Sequence, residues 1–374
     1  MTPLLTLTGD GTFRALTPER CEALGLPEDP HLSALMRLRS LLGDDLEEQL
    51  AARLYLPAAL GLDETDHLLP ATLALLAETT GDLVSYGWRL GAGTGLAWQH
   101  ARELRERTLD AARIALLGYE GLLTTTALGP ATLSAATYLQ SGERTLGDPG
   151  AVRDLPMLLA EGLADHLAAV AERVPGAHRH LLLREDAVAG VHEGRIPTPS
   201  GRRRYAPLAA PEIGMLWRSL VVALESVGLG ADAITFGVGA DATLLRAARD
   251  AGVRRMSLSP RRMPALDTAA GVALWEGIAE AAEQGCSFEL VVDPRPGGRL
   301  VPEVERMFEI WRRLGHSEHS AAGITVIAHT GAAHDVHSGR VDPSAQPEVS
   351  TLLDETAIEA LLRLAPSYAE RLAA

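Results

Sequence analysis

The 374-residue chain contains no lysine: all 34 basic side chains are arginine, against 49 acidic ones. Without a lysine amine there is no Schiff base to a carbonyl substrate or to pyridoxal phosphate, and no phosphate-binding lysine of a P-loop NTPase or kinase. A net charge of −15 leaves no basic face for tracking a nucleic-acid backbone. Cysteine is almost as scarce. Cys21 and Cys286 stand alone, too few for a disulfide framework or a multi-cysteine zinc site, and two reduced thiols suit the cytoplasm. No run reaches the roughly 18–20 apolar residues that span a bilayer. The first ten residues lack the basic start and long apolar core of a signal peptide. The expectation is a soluble, cytoplasmic protein that binds neither nucleic acid nor membrane.

What is present is alternation. Short apolar runs at Leu83–Trp88, Leu122–Leu128, His180–Glu185, Ala233–Val238, Arg255–Ser259, Phe288–Asp293 and Ile324–His329 read as strands, with a weaker first strand at Leu4–Thr8. Between them lie amphipathic helical patterns: Leu155, Leu158, Leu159, Leu163, Leu167 and Val170 fall on one helix face. Strand–helix alternation calls for a parallel sheet with crossover helices, and eight strands favour a closed (β/α)8 TIM barrel. The chain has no long linker and no internal repeat, so residues 1–374 are expected to form one barrel domain. Residues 1–80 would supply the first strand and a helical elaboration, and residues 81–374 the barrel core.

In a barrel, function is read at the C-terminal ends of the strands. The candidates there are Asp10, Trp88, Arg184, Glu185, Asp293 and His329. Three further patterns carry possible chemistry. His329, His334 and His337, with Asp335 between, form an imidazole and carboxylate set suited to zinc. Gly237-Val238-Gly239-Ala240-Asp241-Ala242 opens a helix after a strand and matches a dinucleotide fingerprint, with Arg261 and Arg262 after the next strand suited to NADP. Gly201-Arg202-Arg203-Arg204-Tyr205 is a basic run in an acidic protein, either a solvated loop or an anion site. A small anionic molecule is one candidate ligand; a protein partner or homo-oligomer stays open.

The order Gly129-Pro130-Ala131-Thr132-Leu133-Ser134, Gly142-Glu143-Arg144, Gly147-Asp148-Pro149 and Gly194-Arg195-Ile196-Pro197-Thr198-Pro199-Ser200-Gly201 resembles the C-terminal catalytic domain of cobalamin-independent methionine synthase. Gly87-Trp88-Arg89-Leu90 and Trp311-Arg312-Arg313-Leu314-Gly315 extend the resemblance over roughly residues 81–314. It implies a (β/α)8 barrel of the methionine synthase and uroporphyrinogen decarboxylase type, with a methyltransferase activity in methionine biosynthesis. In that family zinc activates homocysteine for methylation by a folate. At the inherited ligand places this chain has Phe236, Gly237, Ser259 and Thr330, none of them a thiolate, imidazole or carboxylate. The expectation is a divergent member with a degenerate zinc site, no cofactor, and an activity lost or changed; the alternatives are a non-catalytic binding barrel and an NADP-dependent enzyme.

Overall fold

A computed structural model describes residues 3–373, apart from 44, 45, 47, 48, 92, 295–301, 322 and 330–350. Its main sheet is parallel throughout and closes on itself. The barrel strands are β1 (Leu5–Gly9), β2 (Leu50–Ala52, resuming as Leu54–Tyr55), β3 (Leu122–Leu128), β4 (His178–Arg184), β5 (Ile234–Gly237), β6 (Arg255–Leu258), β7 (Ser287–Val292) and β8 (Ile324–Ala328). Each pairs with its sequence neighbour, and β1 pairs with β8, so Leu5 faces Ile324 and Gly9 faces Ala328. The two pieces of β2, interrupted at Arg53, complete the ring by pairing with β1 on one side and β3 on the other. Helices follow each strand, from Pro30–Leu42 after β1 to Glu355–Ala373 after β8. The fold is the (β/α)8 barrel.

One expected strand is misplaced. Leu83–Trp88 is not the second barrel strand. It straddles an antiparallel hairpin, Gly81–Val84 with Gly87–Leu90, that joins Thr137–Tyr138 in a separate three-stranded sheet. The true second strand lies within the stretch taken for helical elaboration. Its sequence, Leu-Ala-Ala-Arg-Leu-Tyr, has no β-branched residue and a charge in the middle, which hides it from a propensity reading.

The barrel interior explains that charge. Inward residues alternate along each strand, and here they stack in three storeys: His180, Leu182 and Arg184 on β4; Glu289, Val291 and Asp293 on β7 and its end; Thr325, Ile327 and His329 on β8 and its end. The lowest storey is polar. Arg53 donates twice to Glu289, Nη1 to Oε1 at 2.8 Å and Nη2 to Oε2 at 2.7 Å, and Nη1 also reaches His180 Nε2 at 3.2 Å. Thr235 Oγ1 lies 3.0 Å from Glu289 Oε1, and Thr124 Oγ1 lies 3.3 Å from His180 Nδ1. Apolar burial sits mostly outside the barrel, in two shells between strands and helices: one around Trp217, Phe236 and Leu244, the other around Leu7, Leu38 and Tyr368.

Candidate active site at the barrel mouth

The end of β1 is shaped by two glycines. A Cβ on Gly9 would sit 2.4 Å from the buried Tyr55 ring, and Gly11 has φ +87° with Thr126 packed where its side chain would be. Between them Asp10 is fixed and buried. Its Oδ1 accepts from Thr12 N at 2.9 Å and Thr12 Oγ1 at 2.8 Å. Its Oδ2 accepts from His329 Nδ1 at 2.5 Å and from Arg184 Nη1 at 3.2 Å. Burial alone would raise the Asp10 carboxyl, but Arg184 and His329 more than offset it and hold it below the usual range. Arg184 is also gripped by Asp186, with Nη2 2.7 Å from Oδ2 and Nε 3.3 Å from Oδ1.

Together with Asp10, Arg184, Glu185, Asp186 and His329, the mouth is lined by Gly237, Gly239, Ser257, Ser259 and Arg262, over a floor of Leu182, Val291 and Ile327. Ser259 Oγ is buried and has no hydrogen-bond partner among the described residues. An imidazole oriented by a carboxylate, cationic groups beside it and hydroxyls above an apolar floor suit proton transfer on a small polar molecule.

The expected site residues divide. Asp10, Arg184 and His329 meet in direct contact. Glu185, one residue past Arg184, points to the other side of the strand and is fully engaged there. Its Oε1 accepts from Ala131 N at 3.1 Å and Trp217 Nε1 at 2.8 Å, and its Oε2 from Thr132 N at 2.7 Å and Thr132 Oγ1 at 2.8 Å. Burial pushes this carboxyl upward against those donors. Glu185 joins strand to shell. Asp293 lies at the end of β7, 3.8 Å from Arg261 Nη1. Trp88 is buried in the small sheet against Trp98, with ring centroids 6.4 Å apart, and does not line the mouth.

Of the inherited zinc places, Gly237 and Ser259 line the mouth, whereas Phe236 faces outward against Trp217, 6.1 Å between rings. Thr330, His334 and His337 lie outside the described residues. Among the described residues no group of three or more His, Cys, Asp or Glu side chains is placed to hold a metal ion. The dinucleotide fingerprint has a local partner of its own. Asp241 caps the helix Ala242–Asp250 itself, accepting from Thr243 N at 2.8 Å and Leu244 N at 3.0 Å, so the amides that would cradle a pyrophosphate are taken. The arginine run is exposed on a turn closed by a bridge between Pro197 and Arg204. Arg262, which the sequence offered for a 2′-phosphate, lies instead in the mouth, where Asp186 and Ser257, at the ends of their strands, join it. The inward alternation His-x-Leu-x-Arg, Glu-x-Val-x-Asp and Thr-x-Ile-x-His was the available signal.

No protein-family profile matches the chain, and no curated protein matches it. Among solved structures it is similar to the 3-keto-D-glucoside 4-epimerase YcjR of E. coli, at 14% identity and TM-score 0.37, over 70% of this chain and 86% of that one. It is similar to an HpcH/HpaI aldolase/citrate lyase family protein of Burkholderia cenocepacia, at 14% and 0.22, over 59% and 84%. A third is the carboxyl transferase domain of Rhizobium etli pyruvate carboxylase, at 14% and 0.24, over 83% and 59%. Such distant likenesses carry no argument about chemistry. The expected kinship with methionine synthase, and the methyltransferase activity drawn from it, are corrected: no family profile and no curated protein, that family's included, matches the chain, and the solved structures it is similar to are not of that family. The Gly-Pro and Gly-Glu-Arg segments that suggested it are structural. Arg144 is buried and donates to Ala135 O at 2.5 Å and Pro197 O at 3.1 Å, tying two loops together. No described helix is long and apolar enough to cross a membrane.

Proposed function

We propose that the barrel mouth is the active site of an enzyme that moves a proton on a small polar substrate bearing a negative charge. His329 is the acid–base group and Asp10 the carboxylate that orients it. The observation that carries this reading is the 2.5 Å contact between His329 Nδ1 and Asp10 Oδ2 at the C-terminal mouth. With Nδ1 donating to Asp10, Nε2 is the ring atom that exchanges a proton with substrate. Arg184 and Arg262 supply positive charge for an anionic group or a developing enolate oxygen. The hydroxyls of Ser257 and Ser259 are placed to bind substrate oxygens, and Leu182, Val291 and Ile327 keep the floor dry. Abstraction of a proton beside a carbonyl is the reaction class that uses all of these. Both cysteines are buried and free, which supports a reducing compartment such as the cytoplasm.

The test is hydrogen exchange in deuterium oxide. A panel of small hydroxy- and keto-carboxylates is incubated with the protein, and loss of C–H signal is followed by NMR. At least one compound is expected to exchange, and His329→Gln and Asp10→Asn to slow that exchange by about 10²–10⁴-fold while the fold persists. Exchange unaffected by His329→Gln, or none with any compound, overturns the reading.

A further inference from the structure

A second cavity lies behind the Asp10 turn and shares no lining residue with the mouth. Its walls are the segment 56–67 after β2, the strand β3 and the helices Pro30–Leu42, Leu96–Ala115 and Pro149–Arg173. Most of the lining is apolar, from Leu56, Pro57, Leu60, Leu75, Ala101 and Leu104. Set into it are polar atoms with nothing to bond. His31 Nε2, His67 Nε2, His166 Nδ1, Thr125 Oγ1, Thr126 Oγ1 and Arg105 Nε are all buried and lack a hydrogen-bond partner among the described residues. The three histidines and two threonines are each less than 9% exposed. Native interiors leave few such groups bare, because each one keeps the full cost of leaving water. Six around one space is an arrangement that only a guest completes.

The chemistry of the guest follows from those atoms. Thr108 Oγ1 donates to Leu104 O at 3.2 Å, so it accepts from His31 Nδ1 at 3.0 Å. That places the His31 proton on Nδ1 and leaves Nε2 a bare acceptor. Arg105 Nε can only donate, whereas the threonine hydroxyls do both. Burial holds the imidazoles neutral, His67 pushed down to about 4 and His166 to about 3, so they do not attract an anion. A cation would meet Arg105. The Asp66 carboxylate is turned to the backbone, accepting from Leu60 N and Leu62 N. An occupant must therefore be uncharged and must donate and accept from the same atom. The free space suits a few oxygens rather than a sugar ring.

We infer that this cavity is a binding site for neutral hydroxyl oxygens, supplied by a cluster of ordered water or by a small polyol. Such a guest gives the bare imidazole nitrogen a donor, the guanidinium an acceptor and the two threonines both. The site serves the rear face of the turn that carries Asp10, since Thr126, in its lining, packs on Gly11.

Oxygen-17 magnetic relaxation on the full chain counts long-lived internal waters in solution, with glycerol titrated as the polyol probe. Long-lived waters that persist in glycerol identify water as the source. Waters lost as glycerol saturates identify a polyol, and both outcomes uphold the site. The variant Thr125→Val discriminates by sign, with Thr125→Ser as the control that keeps the hydroxyl. An occupied cavity predicts fewer long-lived waters in Thr125→Val and a melting temperature lower by about 2 °C. A dry cavity predicts an unchanged water count and an equal or higher melting temperature, since a bare hydroxyl has been removed. That result overturns the inference. Where Thr125→Val fails to fold, a high-resolution crystal structure of the unaltered protein decides: oxygen density within hydrogen-bond reach of His31 Nε2 and Thr125 Oγ1 supports the site, and an empty cavity or a bound anion refutes it.

Discussion

The barrel holds two arginine–carboxylate–histidine sets, one above the other, and they do opposite things. In the lower set Arg53 grips Glu289 with two hydrogen bonds and gives a third to His180 Nε2. His180 is an acceptor there, boxed between a guanidinium and two threonines, and burial and Arg53 push it down to about 3. Glu289, which burial would raise, is held at about 2 mainly by Arg53. Every member is spent on another member. In the upper set the histidine is bonded to the carboxylate, and the arginine is shared between Asp10 and Asp186. The upper set borders an open mouth; the lower has no opening in which to act. The same residue types become a plug or a site according to which atom faces which, and one apolar storey separates them.

The largest expected effect comes from breaking the plug. Glu289→Gln leaves Arg53 buried without its counter-ion and should cost about 3–5 kcal/mol in denaturant unfolding. Arg53→Met with Glu289→Leu should recover most of that loss, because an apolar replacement leaves no buried charge. At the mouth, Asp186→Asn should cost under about 1 kcal/mol, since Arg184 keeps Asp10. Equal costs for Glu289→Gln and Asp186→Asn would erase the distinction between the two sets.

Acid should find the buried histidines next. His180 and His166 sit at about 3 and His67 at about 4 in the folded chain, against an ordinary value of 6.5. The unfolded chain therefore binds more protons between those values, and stability falls as pH drops below 6.5. By pH 5 each histidine removes up to about 2 kcal/mol. Denaturant midpoints at pH 7, 6 and 5 check the slope, and His180→Gln should flatten it by roughly one third. A stability independent of pH in this range would mean that these rings are not held neutral. Comparable to one such histidine is Glu185→Gln, which turns an amide donor toward at least one of four donors and should cost about 1–3 kcal/mol with a shift in Trp217 emission. Replacing Arg202, Arg203 and Arg204 by serine should move stability by less than about 0.5 kcal/mol, as an exposed run outside both sets should.

Seven of the eight barrel strands were legible within two residues, because β-branched and leucine-rich runs stand out between helical patterns. The second was not. Arg53 breaks the run for a reason visible only when Glu289, from a strand some 236 positions away, is set beside it. The mouth was half legible. Asp10, Arg184 and His329 follow from the rule that barrel function sits at strand ends, while Glu185 borders the same cavity but sends its carboxylate to Thr132 and Trp217, because adjacent strand residues face opposite sides. The motif resemblance failed where it rested on Gly, Pro and Arg segments, and in this barrel these open helices, form a hairpin strand and tie loops together. The histidine cavity left no sequence trace: His31 and His166 stand on two helices, His67 on the segment after β2, and they share nothing but their destination.

The pairing of β1 with β8 has a consequence for how this protein comes into being on the ribosome. Asp10 and His329 are separated by 319 positions, and the ring cannot shut until its last strand has been made. At about 5–20 residues per second the early strands wait roughly 15–60 s for that partner, with the β8-facing edge of β1 unpaired meanwhile. Barrel closure and completion of the Asp10–His329 pair are thus a single late event: a nascent or truncated chain that ends before β8 has neither a closed edge nor the imidazole. Pulse-labelled synthesis should show protease resistance and His329-dependent activity arising together, with no active intermediate before them.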